Sequence, residues 1–197
     1  MTETVTLALS ELRSLITKAA RGAGLSWGLA EEAGWAAEWL ARRGLPAADW
    51  ATTWLAARID GAESPVEAGV LLADDLVNGV APEGWALPNG LSAPGFLLPF
   101  LHRIANGRAT LALTSPSGHV VSVSAEGRVE FGPNWAPQSC GWVLSNASDP
   151  PPEHGAATRP RVSKSVLECL EGLALLTTVP QSKSSRLDAG SSTGDND

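Results

Sequence analysis

The chain has few cysteines, no tyrosine and no long uninterrupted hydrophobic run. Its two cysteines, Cys140 and Cys169, belong to no CxxC pair and do not lie at metal-binding spacing from a histidine. Two cysteines cannot build the disulfide framework that small secreted domains use in place of a large core. We therefore expect a protein of the reducing cytoplasm that has no cysteine metal site.

The sequence also lacks the features of membrane and nucleic-acid binding. Its most apolar run, residues 94–105, contains His102 and Arg103 and is shorter than the ~20 residues that span a bilayer. The N-terminus places Glu3 and Glu11 around a short apolar patch, unlike a signal peptide. The formal net charge is −7, whereas nucleic acids attract clustered Lys and Arg. These features predict an acidic cytoplasmic protein that binds neither membranes nor nucleic acids.

Helical periodicity predicts helices throughout the first half of the chain. Ser10 is expected to cap a first helix with an apolar stripe at Leu12, Ile16 and Ala19. Further helices are predicted at about 29–43, at 47–59, from Pro65 onward and at 96–105, with Gly and Pro between them. In the second helix, Glu31 and Glu32 are expected in the first turn.

From Ala109 the period becomes alternating and predicts an antiparallel meander. The inward positions are Leu111 and Leu113, Val121 and Val123, and Val129 and Phe131, and residues 141–145 supply an additional strand. A final helix, capped by Ser165, precedes a polar tail. Because helices must cover one face of the sheet, we predict an α+β fold with an N-terminal helical bundle on the meander. We expect residues 1–107 and 108–180 to form one cooperative unit and 181–197 to be a flexible or docked tail.

Eight tryptophans accompany the absence of tyrosine. Trp35 and Trp39 lie one turn apart on the second predicted helix, and Trp50 and Trp54 repeat that spacing on the third. The pairs are expected to meet between these helices or along one edge. We predict an aromatic core in preference to a ligand box.

The glycine-rich stretch at residues 21–44 raises the possibility of a phosphate site. Gly22 and Gly24 match the start of a GxGxxG pattern, but Trp27 occupies the third glycine position and a helix, not a strand, precedes them. We therefore interpret the stretch as a junction between two helices. A weaker hypothesis remains, in which Lys18 and Arg21 bind the carboxylate or phosphate of a small ligand.

The other titratable residues form no recognisable catalytic set. Asp74 and Asp75 are adjacent, so on a helix at most one of them faces a given pocket. His102 has no metal spacing, and Cys140 has no activating motif. If a pocket exists, we expect Lys18, Arg21 and Glu32 around it, with Asp75 and His102 as further candidates. The sequence identifies no metal and no cofactor.

Two segments resemble a known family. The stretch KAARGAG at residues 18–24, followed by WGLAEEAG at 27–34, is similar to the N-terminal signature of a family of bacterial proteins defined as a domain of unknown function. At the other end, Val179-Pro180, Ser185-Arg186 and the terminal DND resemble the ending of that family. This resemblance implies that the tail docks on the body through Arg186 and Asp197, as the alternative to a free tail. The resemblance implies no activity.

The order helix, Ala-Gly turn, helix is also similar to the N-terminus of malate/lactate dehydrogenase-like oxidoreductases. The Ser-His-Gly expected after those helices is missing, as is a second nucleotide-binding region. We interpret the similarity as a coincidence of helix order or as a sign that the protein works beside such an enzyme.

Two functions remain open at this point. The first is a non-catalytic accessory protein of small-molecule metabolism, whose partner is a metabolic enzyme that binds surface tryptophans and the tail. Trp27 and Glu31 are further candidates for a surface that binds either a ligand or a partner. The second is a small enzyme or anion binder with its pocket near Lys18, Arg21 and Glu32.

Overall fold

The computed structural model describes residues 3–77, 87–88, 91–105, 110–115, 120–132, 143–147 and 159–177. These residues form an α+β fold, as predicted. The elements, in chain order, are β1 (Thr4–Thr6), α1 (Leu9–Gly22), α2 (Trp27–Arg42), α3 (Ala47–Ile59), α4 (Pro65–Val77), a short 3-10 helix (Pro94–Leu97), α5 (Leu98–Ala105), β2 (Thr110–Thr114), β3 (Val120–Val123), β4 (Val129–Phe131), β5 (Val143–Ala147), β6 (Arg161–Ser163) and α6 (Lys164–Leu175).

The helix starts differ from the predicted caps. Helix α1 begins one residue before Ser10, because the carboxylate of Glu11 accepts the backbone N–H of Ala8 at 2.6 Å. Helix α2 begins at Trp27, where the hydroxyl of Ser26 accepts the N–H of Leu29. The expectation that Glu31 and Glu32 occupy the first turn was therefore wrong.

The last helix also begins earlier than expected. Ser163, and not Ser165, caps α6 by accepting the N–H of Val166 at 3.3 Å. The strand β6 runs directly into this cap. The Gly- and Pro-rich stretch at 79–94, which the sequence indicates as a loop between two helices, lies mostly outside the described residues, and the tail at 181–197 lies wholly outside them.

The predicted meander is confirmed and gains its fourth strand. The order is β4-β3-β2-β5, with every pair antiparallel. Leu111 pairs with Val123, and Leu113 pairs with Val121, so both pairs point to one buried face. That face belongs to the same hydrophobic cluster as the buried residues of the helices. One core therefore joins the two parts of the chain.

Contrary to the prediction, the tryptophan pairs on α2 and α3 do not pack against each other. Their ring partners are Phe100 for Trp35, His102 for Trp39, Phe131 for Trp50 and Phe96 for Trp54. Trp54 is fully buried, and Trp39 and Trp50 are nearly so. The indoles thus connect the helices to α5, to the 3-10 helix and to the sheet, as core residues.

A second, two-stranded sheet was not predicted. Thr4 pairs with Ser163, and Thr6 pairs with Arg161, so β1 and β6 are antiparallel. This pairing brings α6 beside α1, and Gly22 of α1 lies directly against the backbone carbonyl of Leu173 in α6. The C-terminal helix therefore covers the first helix of the chain.

Candidate functional site

The exposed face of α1 carries a ridge of polar residues between two depressions. Ser10, Ser14 and Lys18 follow one another at a spacing of four residues and are all exposed. On one side of this ridge lies a cleft that reaches the start of α2, and on the other side lies a groove that reaches α6. We call them the Trp27 cleft and the α6 groove.

The glycine-rich stretch forms the turn that positions Trp27. Helix α1 ends at Gly22, and Gly24 has a φ of +91°, a left-handed conformation that favours glycine. Ser26 then caps α2, and Trp27 is the first helical residue. The predicted junction between two helices is confirmed.

Arg21 holds the Trp27 side chain against this turn. Its guanidinium lies 4.8 Å from the centre of the Trp27 ring and donates to the carbonyl of Leu25. The Arg21 Nε atom is buried and has no hydrogen-bond partner among the described residues. Trp27 itself is 64% exposed, so the turn presents a large ring to solvent on a fixed support.

The Trp27 cleft has a volume of about 280 Å³. Its lining residues are Ser10, Arg13, Ser14, Thr17, Lys18 and Trp27. Arg13 also forms an ion pair with Glu38 at 3.2 Å, whereas Lys18 forms no ion pair with any described residue. Three hydroxyls, two cations and one indole can hold an acidic group beside an apolar one.

The α6 groove is larger and more apolar. It has a volume of about 610 Å³ and is lined by Ser10, Glu11, Ser14, Leu15, Lys18, Glu171, Ala174 and Leu175. Leu175 is 66% exposed, and the next residue, Leu176, is 68% exposed. Leu175 thus contributes exposed apolar surface to the groove, and Leu176 extends this surface beyond it. Exposed apolar patches of this kind are typical of an interaction site.

Glu32 belongs to a different surface. Its carboxylate accepts two hydrogen bonds from Arg103 at 3.0 and 3.2 Å, and the Arg103 guanidinium stacks 3.8 Å from the centre of the Trp35 ring. Gly34, two residues along α2, contacts α1 instead. Two residues correspond to about 200° around a helix, so Glu32 and Lys18 lie on different sides of the molecule.

His102 belongs to a third group, between α2, α5 and the turn that joins β3 to β4. Its Nδ1 accepts the indole N–H of Trp39 at 3.1 Å, and Arg43 stacks on the same indole at 3.6 Å. Burial lowers the pKa of His102, and the positive charge of Arg43 lowers this pKa further. Arg43 is fixed in turn, because its Nε donates to the carbonyl of Gly127 at 2.6 Å.

Among the described candidates, Glu31 and Asp75 line neither the Trp27 cleft nor the α6 groove. Glu31 is exposed on α2, and Asp75 is half-buried on α4. Arg186 and Asp197 lie outside the described residues. Within the described ranges, no group of three or more His, Cys, Asp or Glu residues is arranged to hold a metal ion. In the same ranges, no helix has the length and apolar character needed to cross a membrane.

Sequence reasoning identified Lys18, Arg21 and Trp27, which the structure brings together because they flank one short turn. It missed the hydroxyl residues and Arg13 on the exposed face of α1, although their helical spacing was a usable signal. It also missed the wall that α6 contributes to the groove. No local pattern indicates that α6 packs on α1, since β1 and β6 are far apart in the chain.

Comparison with known proteins gives a match to a protein family. Residues 7–69 match the family model described as a protein of unknown function (DUF3726), and this segment runs from the residues before α1 into α4. It therefore contains the Trp27 cleft but not the α6 side of the groove. No curated protein and no solved structure matches the chain.

Proposed function

We propose that the protein is a non-catalytic accessory protein of small-molecule metabolism that binds a metabolic enzyme through the Trp27 cleft. The observation that carries this proposal is the exposed Trp27 ring, which packs against the Arg21 guanidinium. Tryptophan and arginine are the residues most often found at the energetic centre of protein interfaces. A fixed aromatic ring also loses little conformational entropy when a partner covers it.

The charge of the cleft indicates what the partner contributes. The chain as a whole carries a net charge of −7, yet Arg13, Lys18 and Arg21 lie together around Trp27. Lys18 has no described ion-pair partner, so it is available to an incoming carboxylate. We therefore expect the partner to insert an apolar side chain over Trp27 and an acidic side chain beside Lys18.

The contacts of the other candidate residues favour this proposal over an enzyme. Glu32 is engaged by Arg103, and His102 is engaged by Trp39. Both side chains thus stabilise contacts between helices, on surfaces apart from Lys18 and Arg21. A catalytic set would need these polar groups around one reacting atom.

The small number of cysteines is consistent with a cytoplasmic location, which is part of the proposal.

The test is a complex that depends on Trp27. The full chain, carrying an N-terminal tag, is purified from its native host, co-purifying proteins are identified by mass spectrometry, and the complex is reconstituted from pure components. We expect Trp27→Ala to weaken binding by about a hundredfold, in the range of an interface hot spot. Leu71→Ala is the matched control, because Leu71 is 61% exposed but lies on α4. Equal binding by both variants would refute the proposed surface.

A second candidate function is supported by the polar lining of the same cleft. Three hydroxyls beside Lys18 and Arg13 suit a small carboxylate or phosphate compound. Thermal-shift screening with anionic metabolites tests this function. A ligand that raises the melting temperature of the wild type but not of Lys18→Ala would establish anion binding, and it would replace the accessory function if Trp27→Ala left all protein complexes intact.

A further inference from the structure

The polar residues on the groove side of α1 are arranged symmetrically along the helix. Glu11 and Lys18 are seven residues apart, which corresponds to about 10 Å along the axis, and both are exposed. Leu15 lies between them, within about 60° of both around the helix. Along the helix axis, Glu11 and Lys18 are equally distant from a point midway between residues 14 and 15.

Such an arrangement is complementary to itself. If two α1 helices pack antiparallel about a two-fold axis through that point, Glu11 of each copy lies opposite Lys18 of the other. Ser14 is small and exposed, so it permits close approach at the axis. Leu15 of each copy then meets the apolar wall that Ala174 and Leu175 form in the other copy's groove.

We propose that the α6 groove binds a second copy of this chain, so that α1 and α6 of the two copies form a four-helix interface. Helix α1 of each copy lies in the groove between α1 and α6 of the other. Two Glu11–Lys18 ion pairs fix the register, and the apolar lining of the groove supplies the affinity.

The local contacts of the two charged residues leave them suited to this role. One carboxylate oxygen of Glu11 accepts the Ala8 N–H, which holds the side chain at the start of α1 and leaves the second oxygen for a lysine. Lys18 forms no ion pair with a described residue, although Glu171 lines the same groove. The Trp27 cleft lies on the other side of the ridge, but Ser10, Ser14 and Lys18 line both depressions, so a second copy and the partner of the proposed function would compete for Lys18.

The experiment compares the wild-type full chain with three interface variants and one control variant by analytical ultracentrifugation at low salt, over about a hundredfold range of concentration. We expect a dimer of the wild type. Lys18→Glu brings Glu11 against a second carboxylate in both symmetric pairs and should raise the dimer dissociation constant by about tenfold or more. The double variant Glu11→Lys with Lys18→Glu exchanges the two charges and should restore the dimer. Ser14→Arg places a long side chain on the axis and should give a monomer.

Thermal melting of each variant separates loss of the dimer from loss of the fold, because Glu11→Lys also removes the contact with Ala8. Leu71→Glu, on the exposed face of α4, is the control that should leave the dimer unchanged. A wild type that stays monomeric at every concentration would overturn the inference. So would a dimer that tolerates Ser14→Arg, since its interface would then lie elsewhere.

Discussion

The indole N–H of Trp39 on α2 donates a hydrogen bond to Nδ1 of His102 on α5, and the two atoms are 3.1 Å apart. This nitrogen accepts a hydrogen bond only while it carries no proton. The guanidinium of Arg43 lies over the same indole and turns toward the carbonyl of Gly127. Protonation of His102 at Nδ1 would therefore remove one hydrogen bond and add a positive charge beside Arg43.

The first prediction concerns the pH dependence of stability. In the folded chain burial, followed by the charge of Arg43, lowers the pKa of His102, while a hydrogen bond with the backbone of Ala125 and the charge of Glu126 oppose this shift. In the unfolded chain this pKa is about 6.5. Between the two values the unfolded chain binds more protons, so the free energy of unfolding falls as the pH drops below about 6.5, until the folded pKa is reached.

Urea unfolding at a series of pH values measures this effect. His102→Gln removes the titrating group and should make the free energy of unfolding less sensitive to pH between neutral and mildly acidic conditions. The other two histidines, His119 and His154, remain in both proteins and serve as the common background. The same pH dependence in wild type and variant would show that His102 does not contribute.

Much of the helical architecture could be predicted from local patterns. The predicted bounds of α3 agree with the structure, because Pro46 and the glycines on either side leave few alternatives. The meander was likewise readable, since alternation and turn residues are both local signals. The tryptophan spacing correctly indicated core residues but not their partners, because spacing along one helix says nothing about which element packs on it.

Only part of each candidate surface could be predicted, because spacing along the chain does not show which elements pack together. Lys18, Arg21 and Trp27 flank one short turn, so sequence proximity was sufficient to place them together. The α6 groove depends on the pairing of Val5 with Val162, two residues in very short strands at opposite ends of the described chain. Three-residue strands carry too little pattern to be recognised, and their pairing is set by the whole fold.

The second prediction concerns the contact between α1 and α6. A Cβ atom at Gly22 would overlap the backbone carbonyl of Leu173, which cannot rotate away. We expect Gly22→Ala to lower the free energy of unfolding by about 1–3 kcal/mol, as overpacking does. Gly172→Ala on α6 is the matched control, because a Cβ there meets nothing within 4 Å. The control should gain about 0.5–1 kcal/mol from helix propensity, and a loss in both variants would contradict the prediction.

The third prediction concerns the ion pair between Arg103 and Glu32. The pair is bidentate and stacks on Trp35, but the side chains are 45% and 32% exposed, so solvent screening limits its contribution. A double-mutant cycle with Arg103→Gln and Glu32→Gln should give a coupling energy of about 0.5–1 kcal/mol that decreases with salt.

The ion pair between Lys164 and Glu3 provides the comparison for this cycle. Its side chains are 54% and 72% exposed, and the contact between them is a single hydrogen bond at 3.2 Å. We expect the corresponding cycle to give a coupling energy close to zero. Equal coupling in the two pairs would mean that neither the bidentate geometry nor the Trp35 ring contributes.

The fourth prediction compares two serines that cap helices in different surroundings. The hydroxyl of Ser64 is fully buried before α4 and accepts the N–H groups of Val66 and Glu67 at 3.2 and 3.4 Å. Ser64→Ala leaves both donors without this acceptor in a place that water does not reach, so it should cost about 1–2 kcal/mol of unfolding free energy.

Ser26 caps α2 from an exposed position, where its hydroxyl accepts the N–H of Leu29 at 3.4 Å. Water can replace that hydroxyl in Ser26→Ala, so the loss should stay near the lower limit for a cap, about 0.5 kcal/mol. Chemical denaturation of the two variants measures the difference directly. A larger loss of unfolding free energy in Ser26→Ala than in Ser64→Ala would contradict this prediction. It would mean that the turn that supports Trp27 depends strongly on the Ser26 cap. The partner-binding test would then need Ser26→Ala as an additional control.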